Sequence, residues 1–99
     1  MVDLHDVSQD LVKRLKLAAV QAGRPEPTVI SHAVDITSRK SVEALHKAVA
    51  KVFKGRLDLV VNNAAHMEPN KSLLEADPDV IWRTWEVNVH GLMNMARTF

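Results

Sequence analysis

The sequence predicts an α/β fold in which parallel strands are flanked by helices. Stretches with helical periodicity alternate with short apolar stretches rich in β-branched residues, and Gly, Pro and Asn separate them. This alternation predicts helices near 6–22, 38–54 and 78–99 and strands near 28–35 and 57–62. The order helix, strand, helix, strand, helix is typical of a parallel layer covered by helices.

Residues suited to helix ends support the helix boundaries. Gly23 ends the first predicted helix, and Gly55 ends the second. Ser38 is placed to cap the second helix, while Asp77 and Pro78 form a good N-cap and first residue for the third. The third helix reaches Phe99 without a C-cap signal, which predicts that the chain stops inside an element.

Each helix has one apolar face. In the last helix the face at helical spacing consists of Ile81, Trp85, Asn88, Leu92, Ala96 and Phe99. The second helix presents Val42, Leu45, Val49 and Phe53 in the same way. We therefore expect three apolar residues, Val49, Trp85 and Leu92, to be more buried than three basic ones, Lys47, Lys51 and Arg83.

Both predicted strands end in polar residues. The first is β-branched at four of the seven positions 28–34 and stops at Asp35. The second, starting at Leu57, leads directly into Asn62-Asn63-Ala64-Ala65. Because ligands of open parallel sheets bind outside the carboxyl ends of the strands, these two strand ends are the first places to expect a binding site.

Composition excludes several classes of protein. A formal net charge of +1 gives no field for attracting nucleic acid or acidic membranes, so neither is an expected partner. The chain has no cysteine, which rules out disulfides and thiolate catalysis. Its five histidines show no i, i+4 pair, so no metal site is expected. Without a leader-like or membrane-spanning stretch, the expected location is cytoplasmic.

Three motifs occur in order along the chain: Val34-Asp35-Ile36-Thr37, then Leu59-Val60-Val61-Asn62-Asn63-Ala64-Ala65, then Trp85-Glu86-Val87-Asn88-Val89-His90-Gly91. Together they resemble the short-chain dehydrogenase/reductase family. The resemblance implies a Rossmann-like NAD(P)-binding domain and an oxidoreductase. It also implies NAD or NADP as cofactor and hydride transfer to or from a small-molecule alcohol or carbonyl substrate.

Asp35 and Ile36 are candidate cofactor-binding residues. A carboxylate at a strand end can accept a hydrogen bond from an adenine amino group, and the resemblance implies that role for Asp35 with the backbone of Ile36 beside it. The simpler interpretation is that Asp35 starts a turn or helps to cap the following helix. Both interpretations remain open at the level of sequence.

The segment Asn62, Asn63, Ala64 and Ala65 is the second cofactor-binding candidate. Two amides and two small residues suit a close approach of the backbone to a ligand. The resemblance implies contact with the adenosine ribose, mainly through Asn63 and Ala64, although the family usually has glycine at Ala65. A plain turn is the alternative interpretation.

Asn88 is the candidate catalytic residue. Its carboxamide lies on an otherwise apolar helix face and needs hydrogen-bond partners there. The resemblance implies that it holds a water in a proton relay, and that Gly91 allows close packing of this helix. The alternative is a carboxamide satisfied by neighbouring backbone.

Other features that the resemblance implies are missing. The family uses a catalytic tyrosine, a lysine four residues later and a glycine-rich turn, but this chain has no tyrosine and its three glycines stand alone. We therefore expect residues 1–99 to be a single incomplete domain, lacking the first two strands and the C-terminal half, and inactive alone. Its two strands would be the family's third and fourth, either separated by a gap or paired directly as a βαβ unit.

Two alternatives to a dehydrogenase fragment remain. One is a non-enzymatic interaction piece that binds a full-length relative through the last helix, the helix that the resemblance implicates in homo-oligomer contacts. Co-purification with such a relative would favour it. The other is an unrelated small α/β regulator, which would require the three-motif match to be coincidence.

Overall fold

A computed structural model of the 99-residue chain describes residues 2–3, 8–68 and 71–99. The chain divides into two compact units, Met1–Val34 and Asp35–Phe99. No helix among the described residues is long and apolar enough to cross a membrane.

The first unit contains two short parallel strands and one helix. Strand β1 (Val2–Asp3) pairs with β2 (His32–Ala33), with Val2 opposite His32 and Asp3 opposite Ala33. Between them lies α1 (Gln9–Gln21), whose first turn is capped by the Ser8 hydroxyl. The predicted helix start at residues 6 and 7 lies outside the described residues. The helix ends before Gly23, which has a φ of 69° that a residue with a Cβ rarely adopts.

The strand at Val2–Asp3 corrects one prediction. The sequence alone placed the family's first two strands outside the chain, yet a strand precedes α1 and pairs in parallel with β2. Since β2 was predicted to be the family's third strand, its neighbour takes the place expected of the second.

The second unit is helical. Helix α2 (Arg39–Phe53) begins at Ser38, whose Oγ accepts a hydrogen bond from the Ser41 N–H, as predicted. It ends at Lys54 and Gly55, which both have positive φ. Helix α3 (Pro78–Trp85) is capped by the Asp77 side chain, also as predicted. A π-helical segment, Glu86–Gly91, then joins α3 to α4 (Leu92–Thr98) without a break.

The small core of this unit lies where α2 meets α4. Val42 and Leu45 of α2 are almost fully buried, at 0% and 2% exposure, and Met95 of α4 is 9% exposed. Gly91 and Asn94 are buried on the same side of the last helix. The core is therefore made by residues at positions 91, 94 and 95 and not by the predicted stripe.

The predicted face of the last helix is consequently wrong at Trp85 and at Leu92. Trp85 is 58% exposed and Leu92 44% exposed, so neither is buried relative to the exposed Arg83. The face that is covered lies one position earlier along the whole helix, at Val80, Thr84, Val87, Gly91, Met95 and Thr98, all of them buried or half-buried. In α2, where the helix is regular, the half-buried Val49 is less exposed than Lys47 and Lys51, as predicted.

The predicted strand near 57–62 is not formed. Residues 57–68 have no regular secondary structure, and Leu59 and Val61 are 76% and 75% exposed. The strand near 28–35 is reduced to the two residues of β2. A strand needs a hydrogen-bonding neighbour, and among the described residues only β1 and β2 pair. Neither arrangement predicted for the two strands, a gap or a direct pair, is therefore observed.

Candidate functional site

The loop that follows β2 is built around Asp35. Its Oδ1 accepts hydrogen bonds from the Thr37 N–H at 2.9 Å and the Thr37 hydroxyl at 2.7 Å. Its own N–H donates to the Ser41 hydroxyl at 3.2 Å, and its carbonyl oxygen accepts from the Ser38 N–H at 3.1 Å. Asp35 thus makes the turn that the simpler interpretation expected, and it ties this turn to the start of α2.

The same contacts favour the ionised form of the Asp35 carboxyl by lowering its pKa. The hydroxyl of Thr37 is the largest influence lowering its pKa, with the Thr37 N–H and the positive charge of Arg83 acting in the same direction. Partial burial opposes them by raising the pKa, but the net pKa is below the ordinary value. The group is therefore a charged hydrogen-bond acceptor at neutral pH.

Asn94, in the last helix, binds the backbone of the loop that follows Asp35. Its Nδ2 donates to the carbonyl oxygens of Ile36 and Thr37, at 3.0 Å and 3.2 Å. The helix also approaches closely at Gly91, because a Cβ there would lie 2.7 Å from both Cγ1 and Cδ1 of Ile36. This confirms that Gly91 permits close packing, and it identifies Ile36 as the neighbour.

Sequence reasoning missed Asn94. It selected Asn88 because that residue falls on the apolar stripe of an uninterrupted α-helix, whereas Asn94 falls outside this stripe. The spacing of Gly91, Asn94, Met95 and Thr98 does form a second helical stripe. A small residue followed three positions later by an amide is the signal that could have identified it.

Asn88 makes a two-point contact with the backbone of His66. Its Oδ1 accepts from the His66 N–H at 2.8 Å, and its Nδ2 donates to the His66 carbonyl oxygen at 2.9 Å. The carboxamide is therefore satisfied by neighbouring backbone, the simpler of the two interpretations for this side chain. The contact anchors the chain immediately after Ala65 to the last helix.

The residues from Asn62 to Ala65 are exposed and lie in a segment without regular secondary structure. These residues therefore do not lie at the end of a strand, where they had been predicted to lie. The segment is anchored on one side by the hydrogen bonds between Asn88 and His66. The candidates consequently form two groups, one at Asp35 and Ile36 and one around Asn88. Both are attached to the last helix through asparagines six residues apart, roughly 9 Å along a helix axis.

Comparisons with known proteins agree with the motifs. The family model described as Enoyl-(Acyl carrier protein) reductase matches residues 2–99. A short chain dehydrogenase of Monascus purpureus is 42% identical over 80 residues, which are 81% of this chain and 27% of that protein. Another, from Monascus ruber, is 36% identical over 90 residues, covering 91% of this chain and 29% of that protein.

A bacterial relative matches as well. The 3beta-hydroxysteroid dehydrogenase 2 of Eggerthella lenta is 30% identical over 88 residues, 89% of this chain and 32% of that protein. A parallel strand pair with a helix between its strands is typical of the α/β class of proteins. The chain belongs to the short-chain dehydrogenase/reductase family, an oxidoreductase family with a Rossmann-like fold. It spans roughly a quarter to a third of the length of these curated relatives.

Proposed function

We propose that this chain is the adenosine-binding part of an NAD- or NADP-dependent oxidoreductase. The whole protein would transfer hydride between the nicotinamide cofactor and a small-molecule alcohol or carbonyl substrate. The observation that carries the proposal is the Asp35 carboxylate, held by Thr37 just after β2, in a chain matched to the family over residues 2–99.

The Asp35 carboxylate has acceptor capacity left for a ligand. A carboxylate has about four acceptor positions, and the two bonds from Thr37 both go to Oδ1. We assign Asp35 the role of accepting from an adenine amino group, with the backbone of Ile36 beside it. Asn62, Asn63, Ala64 and Ala65 would line the adenosine ribose, and their exposure leaves them accessible to it.

Asn88 has a different role in the proposal. When bound, the nicotinamide supplies the hydride acceptor or donor of the reaction. Asn88 lies in the π-helical segment, where the backbone hydrogen bonds depart from the α-helical pattern. We propose that it positions a water for proton movement, while its carboxamide keeps the backbone of His66 in place.

We further propose that these 99 residues alone do not catalyse hydride transfer. The sequence has no tyrosine to act as the general acid/base, and it has no glycine-rich turn to hold a pyrophosphate. The chain's share of its relatives' length supports an origin as part of such an enzyme. The relatives named above are dehydrogenases, which leaves a non-enzymatic interaction piece without support.

Contact with a second copy through the last helix is also part of the proposal. Trp82, Trp85 and Met93 are 66%, 58% and 51% exposed along it. Beside Trp82 and Trp85 lies an open apolar hollow of about 370 Å³. Sedimentation of the Trp82→Glu variant should show less self-association than the parent chain. Leu17→Glu, which changes a similarly exposed apolar residue of α1, is the matched control.

Calorimetry with AMP, NAD⁺ and NADP⁺ tests the nucleotide site. Asp35→Ala should weaken AMP binding by roughly two- to thirteenfold, since one hydrogen bond contributes about 0.5 to 1.5 kcal/mol net. Asp58→Ala removes an exposed carboxylate that pairs with Arg56 and should leave the affinity unchanged. Equal effects of the two substitutions, or no AMP binding by the parent chain, would contradict the proposed site.

A further inference from the structure

Asn94 is the only buried polar side chain that the structure shows among residues 8–68 and 71–99, with 7% of its surface exposed. Its Nδ2 donates to two successive carbonyl oxygens, those of Ile36 and Thr37, which precede it by 58 and 57 positions. A buried carboxamide that reaches another segment in this way fixes that segment's backbone, because losing the contact would leave polar groups without partners.

The peptide unit between Ile36 and Thr37 is held at both ends. Its N–H, from Thr37, donates to Asp35 Oδ1 at 2.9 Å. Its carbonyl oxygen, from Ile36, accepts from Asn94 at 3.0 Å. Because a peptide unit is planar, a rotation that breaks one of these contacts disturbs the other. The orientation of the Asp35 carboxylate is therefore linked to Asn94 although the two side chains share no hydrogen bond.

Gly91 brings the helix close enough for this contact. A Cβ at this position would meet Cγ1 and Cδ1 of Ile36 at 2.7 Å, closer than real Cβ contacts occur. Gly91 and Asn94 are three residues apart and so share a face of the helix. One contacts the side chain of Ile36, and the other binds its carbonyl oxygen.

We propose that Asn94 is a positioning residue for the adenine side of the nucleotide site, acting through the Ile36–Thr37 peptide on Asp35. The inference rests on the proposed function, because it assumes that Asp35 and Ile36 receive the adenine. Asn94 itself does not contact the ligand. Its effect should therefore appear in nucleotide affinity and in the order of the loop from Asp35 to Ser38.

The test compares two substitutions in the same helix. Asn94→Ser removes the donor to the loop. Thr98→Val removes a hydroxyl that bonds only within the helix, to the Asn94 carbonyl oxygen at 2.8 Å. AMP affinity is measured by calorimetry, hydrogen exchange of the Thr37 amide by NMR, and folding by thermal unfolding. Asn94→Asp, which keeps the shape but replaces the donor with an acceptor, is a second variant in case the first does not fold.

We expect Asn94→Ser to weaken AMP binding roughly three- to tenfold, the effect of one or two lost hydrogen bonds, and to speed exchange at Thr37. Thr98→Val should change neither by more than about twofold. An Asn94→Ser chain with unchanged affinity and exchange would overturn the inference, as would equal effects from Thr98→Val. If the parent chain binds no AMP, the proposed function fails, and exchange at Thr37 still decides whether Asn94 positions the loop.

Discussion

Asn88 and the peptide backbone of His66 form a reciprocal pair, with hydrogen bonds of 2.8 Å and 2.9 Å in opposite directions. The two residues are 22 positions apart, so the contact joins the otherwise irregular segment after Ala65 to the last helix. A carboxamide has the same donor and acceptor groups as a peptide unit. It can therefore make the two backbone hydrogen bonds that a neighbouring strand would make to one residue. The segment thus keeps one fixed point although it is not part of a sheet.

The first prediction concerns this pair. Asn88→Ala should lower the free energy of unfolding by about 1 to 2 kcal/mol, because two hydrogen bonds are lost and both His66 backbone groups lose their partner. Urea titration measures the change. Asn63→Ala replaces an exposed asparagine and should change the free energy of unfolding by no more than about 0.5 kcal/mol. Equal losses from the two substitutions would mean that the pair does not form in solution.

A second prediction concerns the contact between Gly91 and Ile36. In an open helix, replacing glycine by alanine stabilises by up to about 1 kcal/mol. Here the new Cβ would lie 2.7 Å from two Ile36 side-chain atoms, so the steric cost of about 1 to 3 kcal/mol should exceed the gain. Gly91→Ala should therefore destabilise the chain in denaturant titrations.

A double-mutant cycle separates this clash from other causes. Ile36→Ala removes the two atoms that a Cβ at Gly91 would meet, so it should make Gly91→Ala less costly. Gly55→Ala is the matched control: its cost comes from a φ of 78° with nothing within 4 Å of a Cβ, and Ile36→Ala should not change it. Additive effects at Gly91 and Ile36 would contradict the observed contact.

The third prediction is a pH dependence caused by Asp35. Its pKa in the folded chain is below its unfolded value, mainly because the Thr37 hydroxyl bonds the carboxylate. The stabilisation is therefore complete above the unfolded pKa of about 3.9 and is lost as the pH falls through the lower folded pKa. Asp35→Asn should flatten the acid limb of the stability curve.

Thr37→Val provides the corresponding check on the cause. Without the hydroxyl, the pKa of Asp35 should move back toward its ordinary value, because the largest lowering contribution is gone. Carboxyl chemical shifts followed by NMR between about pH 2 and 6 would report this titration directly. An Asp35 pKa that Thr37→Val leaves in place would contradict the assigned cause.

Helix ends could be predicted from the sequence because each depends on local chemistry. Ser38 and Asp77 cap helices as expected, and Gly55 adopts the positive φ that a helix end favours. The predicted strand beginning at Leu57 fails for the opposite reason, since a strand is stabilised by a neighbour that its own sequence does not contain. The apolar residues of this segment indicate that it favours burial, but they do not indicate whether another strand is there to pair with it.

The roles of the candidate site residues in binding and catalysis stay predictions, but their contacts can be compared with the sequence. Asp35 and Asn88 make the local hydrogen bonds that the simpler interpretation of each residue predicted. Asn94 was not predicted, because it lies beside the face of the last helix that is actually covered and not on the more apolar stripe. A periodicity of about 3.6 residues per turn, applied to the whole helix, places Leu92 inside and Asn94 outside. The observed face lies one position earlier and is less apolar, so apolar periodicity alone selects the wrong stripe.

A fourth prediction comes from the exposure of Leu59 and Val61. With 76% and 75% of their surfaces exposed, replacing both with threonine should change the free energy of unfolding by less than about 1 kcal/mol. In a chain where this segment is a buried strand, the same pair of substitutions would cost several kcal/mol. Val42→Thr, at a fully buried position, provides the comparison. A large loss from the first pair would show that the segment is covered in solution.

The last prediction concerns activity. Asp35 and Asn63 could contact only the adenosine end of a dinucleotide, because no glycine-rich turn or tyrosine is present in these 99 residues to bind its other parts. Losing the general acid/base alone typically removes a factor of about 10² to 10⁴ in rate, and losing cofactor positioning removes the effective concentration that hydride transfer requires. The purified chain should therefore show no turnover of NADH or NADPH with a panel of ketones and aldehydes, followed by nicotinamide absorbance. Steady oxidation that depends on this chain and disappears with Asn88→Ala would show that these residues form an active enzyme by themselves.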